Sequence, residues 1–144
     1  MIIAVIDGMG GSIGHQIVAR LREDLPEKVE IMVLGTNAVA TSNMMKAGAN
    51  RGASGENAVA FSVKKADVII GPISIVIPNS FMGELTPKMA ESIAVSDAKK
   101  ILLPLSHPHI DLIGVKQIPL PHLMEEATKL IRKIWFKGGK TINV

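Results

Sequence analysis

Short apolar runs alternate along the chain with segments in which apolar residues recur every three or four positions. Met1–Ile6 is continuously apolar up to Asp7-Gly8, the pattern of a strand buried on both faces. Between Ser12 and Leu25, residues Ile13, Ile17, Val18, Leu21 and Leu25 mark one face of a helix that Pro26 stops. Val29–Leu34 reads as a second strand. Asn37 is placed to cap a helix over Ala38–Ala47, with Gly48 just past its end. Ser54 is placed to cap another over Gly55–Lys64, and Ala66–Gly71 reads as a third strand. The stretch from Gly71 to Leu85 has no clear period and reads as loop, with a short extended piece at Ile73–Ile77. Thr86-Pro87 is a helix start, followed by Met89, Ala90 and Ile93 on one side. Lys100–Leu105 reads as a fourth strand and Asp111–Val115 as a short fifth. A last helix opens at Pro121 with an apolar stripe of Leu123, Met124, Ala127, Leu130, Ile131 and Ile134.

Nearly all-apolar strands alternating with helices predict an α/β fold. The expected architecture is three-layer and Rossmann-like: a parallel sheet of four to five strands with helices on both faces. Residues 1–137 form one such domain, and 138–144 read as a flexible tail. In a sheet of this kind ligands sit beyond the C-terminal ends of the strands. The segments following the strands are therefore the candidate site: Asp7–Gly14, Gly35–Asn37, Gly71–Ser74 and Ser106–His109. The connection Gly48–Ser54 must cross back to that same edge, and seven extended residues span about 23 Å, which suffices. This reading puts Arg51 beside the ligand.

Composition narrows the chemistry. The 144 residues include no Cys and no Tyr, which excludes disulfides, thiolate nucleophiles, thiolate metal sites and a tyrosine general acid. The net charge is +3, but basic pairs such as Lys64-Lys65 and Lys99-Lys100 precede apolar runs, and aromatics are 3% of the chain. A nucleic-acid surface needs basic residues interleaved with aromatics, so no nucleic acid is expected. No apolar run approaches the roughly 20 residues of a membrane span, and the reading is a cytoplasmic protein without membrane contact. The apolar end of the last helix, Ile134-Trp135-Phe136, together with Ser74–Pro78, predicts a homodimer or larger homo-oligomer.

Asp7–Gly14 links a buried strand to a helix, the setting in which glycines allow close backbone approach and helix amides meet an anion. Its candidate contacts are Gly8, Gly10, Gly11, Ser12, Ile13 and Gly14. Thr36, Asn37, Arg51, Gly71 and Ser74 are expected around the same small phosphorylated ligand. Leu34-Gly35-Thr36-Asn37 carries no acid, which suits a phosphorylated ribose better than a bare diol, so NADP or another nucleotide is the cofactor class. Asp7 and His107 are the candidates for catalysis. Asp7 either contacts ligand or bridges the turn's own amides, and no third ligand accompanies His107 and His109 to make a metal site. The alternative is a scaffold protein whose glycine turn only packs helix on strand.

Three resemblances bear on this. Gly8, Ile13 and Gly14 resemble the T-G-x-x-x-G-I-G turn of short-chain dehydrogenases, with Asp7 in place of Thr and Ser12 in place of Gly. That resemblance implies a dinucleotide over the turn, while the family's Tyr-x-x-x-Lys chemistry is excluded here by the lack of Tyr. Ala66-Asp67…Gly71-Pro72, Ser74, Pro78-Asn79 and Ser96-Asp97-Ala98-Lys99-Lys100 are similar to a segment of 2-phospho-lactate transferases and gluconeogenesis-factor proteins, which implies nucleotide-phosphate binding. Finally, Ile6-Asp7-Gly8…Gly10-Gly11…Ile13-Gly14, Leu34–Asn37, Ala47–Ala58 and Ile69–Ile73 resemble a small bacterial family of uncharacterised proteins about this long. It implies a Rossmann-like fold and no particular activity.

Overall fold

The computed structural model describes residues 1–142. Five parallel strands form one sheet in the order β3-β2-β1-β4-β5. They are β1 (Ile2–Asp7), β2 (Glu30–Gly35), β3 (Arg51–Ser54), β4 (Val68–Pro72) and β5 (Lys99–Leu103). Five helices connect or follow them: α1 (Ser12–Asp24), α2 (Ala38–Lys46), α3 (Glu56–Ser62), α4 (Pro87–Val95) and α5 (Leu120–Ile142). The end of the expected tail, residues 143 and 144, lies outside the described residues.

The sheet is covered on both faces at its centre, which is why β1, β2 and β4 are apolar along most of their length. Ile3, Val5, Ile31, Val33, Val68 and Ile70 pack with Ile17, Val18 and Leu21 of α1, Met44 of α2 and Leu123, Ala127 and Ile131 of α5. On the other face Ala4, Ile6, Leu34 and Ile69 meet Val59 of α3 and Met89, Ala90 and Ile93 of α4. Residues such as Ile17 and Leu21 are fully buried, and each such side chain contributes about 1.5–3 kcal/mol over leaving it in water. The result is the three-layer Rossmann-like architecture expected from the pattern.

Two caps read from the sequence are present. The Asn37 side chain accepts from Ala40 N, and Thr86 accepts from Met89 N ahead of Pro87. Three expectations are corrected. The crossing Gly48–Ser54 is not only a loop: Arg51–Ser54 adds a parallel edge strand against Met32–Gly35. Arg-Gly-Ala-Ser is exposed at the sheet edge and needs no apolar run, so periodicity could not reveal it. Asp111–Val115 is no strand; it is exposed, and Gly114 turns the chain at φ +81°. Ile73–Val76 is a 3-10 turn that buries Ile75, not an extended piece. Part of the apolar surface expected to drive self-association is thus used inside the chain. Trp135 packs against the core, with the Lys28 ammonium 5.4 Å from its ring centroid, while Phe136 stays exposed.

No described helix is long and apolar enough to cross a membrane.

Candidate functional site

The strand order reverses at β1: the chain builds outward through β2 and β3, then returns to lay β4 on the other side. The C-terminal ends of β1, β2 and β4 therefore bound the crevice in which doubly wound sheets take their ligands. Asp7 is level with Gly35, and Gly71 follows the rung that pairs Ile70 with Val5. The glycine turn, the Thr36-Asn37 pair and the Gly71-Pro72 end of β4 accordingly share one rim.

The turn is ordered from below by a buried carboxylate. Asp7 Oδ1 accepts from Gly8 N at 2.8 Å and Oδ2 from Gly14 N at 2.7 Å. Burial raises the Asp7 pKa, and the amides of Gly14, Gly8 and Ile13 pull against that rise without cancelling it. Of the two roles open to Asp7, the structure displays amide bridging. Gly11 caps α1 at φ +75°, where a side chain would be strained and would meet Ala40 O at 2.7 Å. Gly14 lets α1 press onto α2, since a Cβ there would lie 2.3 Å from Met44 Sδ. Gly10 is different: nothing stands within 4 Å of where its Cβ would be. Ser12 and Ile13 open α1 immediately after this free position.

The other wall is polar and tied together. Asn37 Nδ2 donates to Met9 O at 2.9 Å, and Asn43 Nδ2 to Gly10 O at 3.0 Å, which fixes the turn to α2. Gly35 N donates to Thr41 Oγ1, and that hydroxyl lies 2.6 Å from Ser54 Oγ. Gly71 is buried, and its missing Cβ would stand 2.4 Å from Ile6 O. Ser74 follows in the 3-10 turn, half-buried.

A carboxylate that no spacing pointed to completes the rim. Glu84 Oε1 accepts from Thr36 Oγ1 at 2.9 Å, Asn37 Nδ2 at 3.0 Å and Met9 N at 3.3 Å. Burial pushes its pKa up, but the bonds from Asn37, Thr36 and Met9 N outweigh this and hold the carboxyl below its ordinary range. Phe81 arrives on the same loop, close enough to Gly8 that a Cβ there would lie 2.5 Å from Cδ2. The expectation that no acid stands beyond β2 is thereby corrected. Glu84 is 48 positions from Thr36 and comes from the loop before α4, where sequence spacing carries no signal.

Residues 2–135 match a domain of unknown function, DUF3842. The chain belongs to this family. No curated protein matches it. The DUF3842 match covers all five strands of the sheet and the first part of α5.

Two expected site residues are not brought to that crevice. Arg51 opens β3 opposite Met32, three rungs short of the Gly35–Ser54 pair, or about 10 Å at strand spacing. Its Nε pairs with Glu30 Oε1 at 2.7 Å at the start of β2. The reason is the extra strand: the crossing back is made by β3 itself, so Arg51 lies at its beginning and not at its end. We expect Arg51→Ala to change stability by less than about 1 kcal/mol in a melting experiment, as for other exposed ion pairs. His107 follows β5 at the same edge of the sheet. Its Nε2 is 3.4 Å from Ser80 Oγ, whose proton is directed to Ile77 O at 2.8 Å. His107 is not hydrogen-bonded to the glycine turn among the described residues.

Proposed function

We propose that this chain binds a nucleotide or dinucleotide in the crevice above β1, β2 and β4, acting as a sensor or as a small enzyme. The observation that carries the reading is the strand order. In β3-β2-β1-β4-β5 the glycine turn follows the central strand at the point of reversal, as in dinucleotide-binding sheets of the same order. The phosphate would lie over Gly10 to Gly14, where the one glycine of the turn with open space marks the closest backbone approach. Thr36 and Asn37, whose side-chain donors are bonded to Glu84 and Met9 O, stand beside it, and Gly71 and Ser74 form the far wall. Arg51 has no part in this site. Location in the cytoplasm and assembly into a homo-oligomer through the exposed Phe136 end of α5 belong to the same proposal.

The test uses the open position. Gly10→Glu meets no neighbour, so its melting temperature is expected to stay close to that of the wild type, within about 0.5 kcal/mol of stability. Its carboxylate projects where the phosphate belongs. A thermal-shift panel of ATP, GTP, NAD+, NADP+ and UDP-glucose should stabilise the wild type by about 2.7 kcal/mol at a hundredfold excess over Kd for its ligand, and leave Gly10→Glu unmoved. An equal shift in both proteins would place the ligand elsewhere. No shift in the wild type with any of the five would count against nucleotide binding.

A further inference from the structure

We propose that Glu84 makes the crevice selective for nucleotides with unsubstituted vicinal ribose hydroxyls, and excludes those carrying a 2′-phosphate. The inference rests on the nucleotide reading above and specifies its ligand. Three observations support it. First, position: Glu84 is bonded to Thr36 and Asn37, the two residues directly after β2, and to Met9 of the glycine turn. A ribose whose phosphate lies on the turn places its 2′ and 3′ hydroxyls next to the end of β2. Second, acceptor capacity: Thr36 Oγ1 and Met9 N donate to Oε1, while Asn37 Nδ2, which also donates to Met9 O, shares its other hydrogen between Oε1 at 3.0 Å and Oε2 at 3.1 Å, and the residue is exposed. A carboxylate oxygen has two lone-pair positions, so Oε2 retains one for a hydroxyl donor. Third, charge: every donor that Glu84 receives is neutral, an amide, a hydroxyl and a carboxamide. The carboxylate keeps its negative charge at neutral pH, which its lowered pKa reinforces. A hydroxyl gains a charge-assisted bond there, while a phosphate dianion meets repulsion, with no cation bonded to Glu84 among the described residues to offset it.

This corrects the preference for a phosphorylated ribose that the acid-free Leu34–Asn37 segment suggested. An acid does stand at the end of β2, but a distant loop delivers it.

The experiment compares two pairs of probes, NAD+ with NADP+ and ATP with 2′-deoxy-ATP, by calorimetric titration of the wild type and of Glu84→Gln. The carboxamide of that variant keeps an oxygen for Thr36 and Met9 N, and the variant's melting temperature reports whether the loop is retained. For whichever pair binds, the wild type should favour NAD+ over NADP+, or ATP over its 2′-deoxy analogue, by at least about tenfold. Glu84→Gln should bring the two members of the pair to within about threefold. Equal binding of both members to the wild type, or an undiminished preference in Glu84→Gln, overturns the role of Glu84 and leaves nucleotide binding standing. Failure of all four probes to bind the wild type overturns this inference, and if GTP and UDP-glucose also fail, nucleotide binding falls with it.

Discussion

Replacing Gly71 with alanine is expected to destabilise the chain by about 3 kcal/mol, although it adds one methyl group to a buried strand. The added Cβ would stand 2.4 Å from Ile6 O, a backbone atom, and 3.1 Å from Ile75 Cδ1. Ile75 could shift a few tenths of an ångström, but Ile6 cannot. It belongs to the central strand, which is held by β2 on one side and β4 on the other. The clash is relieved only by parting β1 from β4 at the rim of the crevice. In a chain of this size the loss corresponds to a fall in Tm of about 10 °C, measurable by calorimetry or circular dichroism. A fall of less than about 3 °C would mean that the two strand ends are less closely apposed than the structure has them.

Asp7→Ala is the second large effect. It removes the acceptor from Gly8 N and Gly14 N together, inside a turn where Asp7 itself is 4% exposed. Leaving buried amides unpaired costs about 1–3 kcal/mol each, so a loss of about 2–4 kcal/mol is expected after the turn relaxes. Asp7→Asn keeps one acceptor oxygen and should lose less. The pair also yields a pH signature. Because burial raises the folded pKa of Asp7 above its ordinary value of 3.8, the folded chain binds that proton more tightly than the unfolded chain. Its contribution is therefore greatest below about that ordinary value and declines as pH rises through the folded one. The stability of the wild type relative to Asp7→Asn should accordingly improve on acidification through the carboxylate range. Glu84 and Asp24, held below their ordinary values, act in the opposite sense, but they do so in both proteins and cancel in the difference. A difference that stayed flat, or reversed, would show that the amides of Gly8 and Gly14 match or outweigh the effect of burial on Asp7.

Those two residues also show how far the sequence can be read. Most of what depends on apolar burial is legible: β1, β2, β4 and β5 announce themselves by their apolar runs and α1 and α4 by one covered face, whereas the 3-10 turn that buries Ile75 does not. The glycine turn is legible for a related reason, since a buried strand ending in Asp-Gly before a helical period leaves few other arrangements. What depends on contacts between distant segments is not. β3 is a polar strand that pairs with the edge of β2, and without it Arg51 falls at the wrong end of the sheet. Glu84 has no periodic or motif signal, because its partners at Thr36, Asn37 and Met9 lie 47 to 75 residues away. Asp7 stands between two roles in the sequence, and only the positions of Gly8 N and Gly14 N separate them.

Whether a nucleotide lies at the reversal point of the sheet can be read from amide chemical shifts. A 15N-labelled sample is titrated with ATP and, separately, with NAD+ to millimolar concentration. Shifts are expected to concentrate at Gly8 to Gly14, Thr36, Asn37, Gly71 and Ser74, with residues at the opposite edge, such as Asn50 and Arg51, unmoved. Shifts confined instead to the groove between β5 and α5, lined by Ile101, Leu103, Leu123 and Leu130, or no shifts with either nucleotide, would contradict that placement.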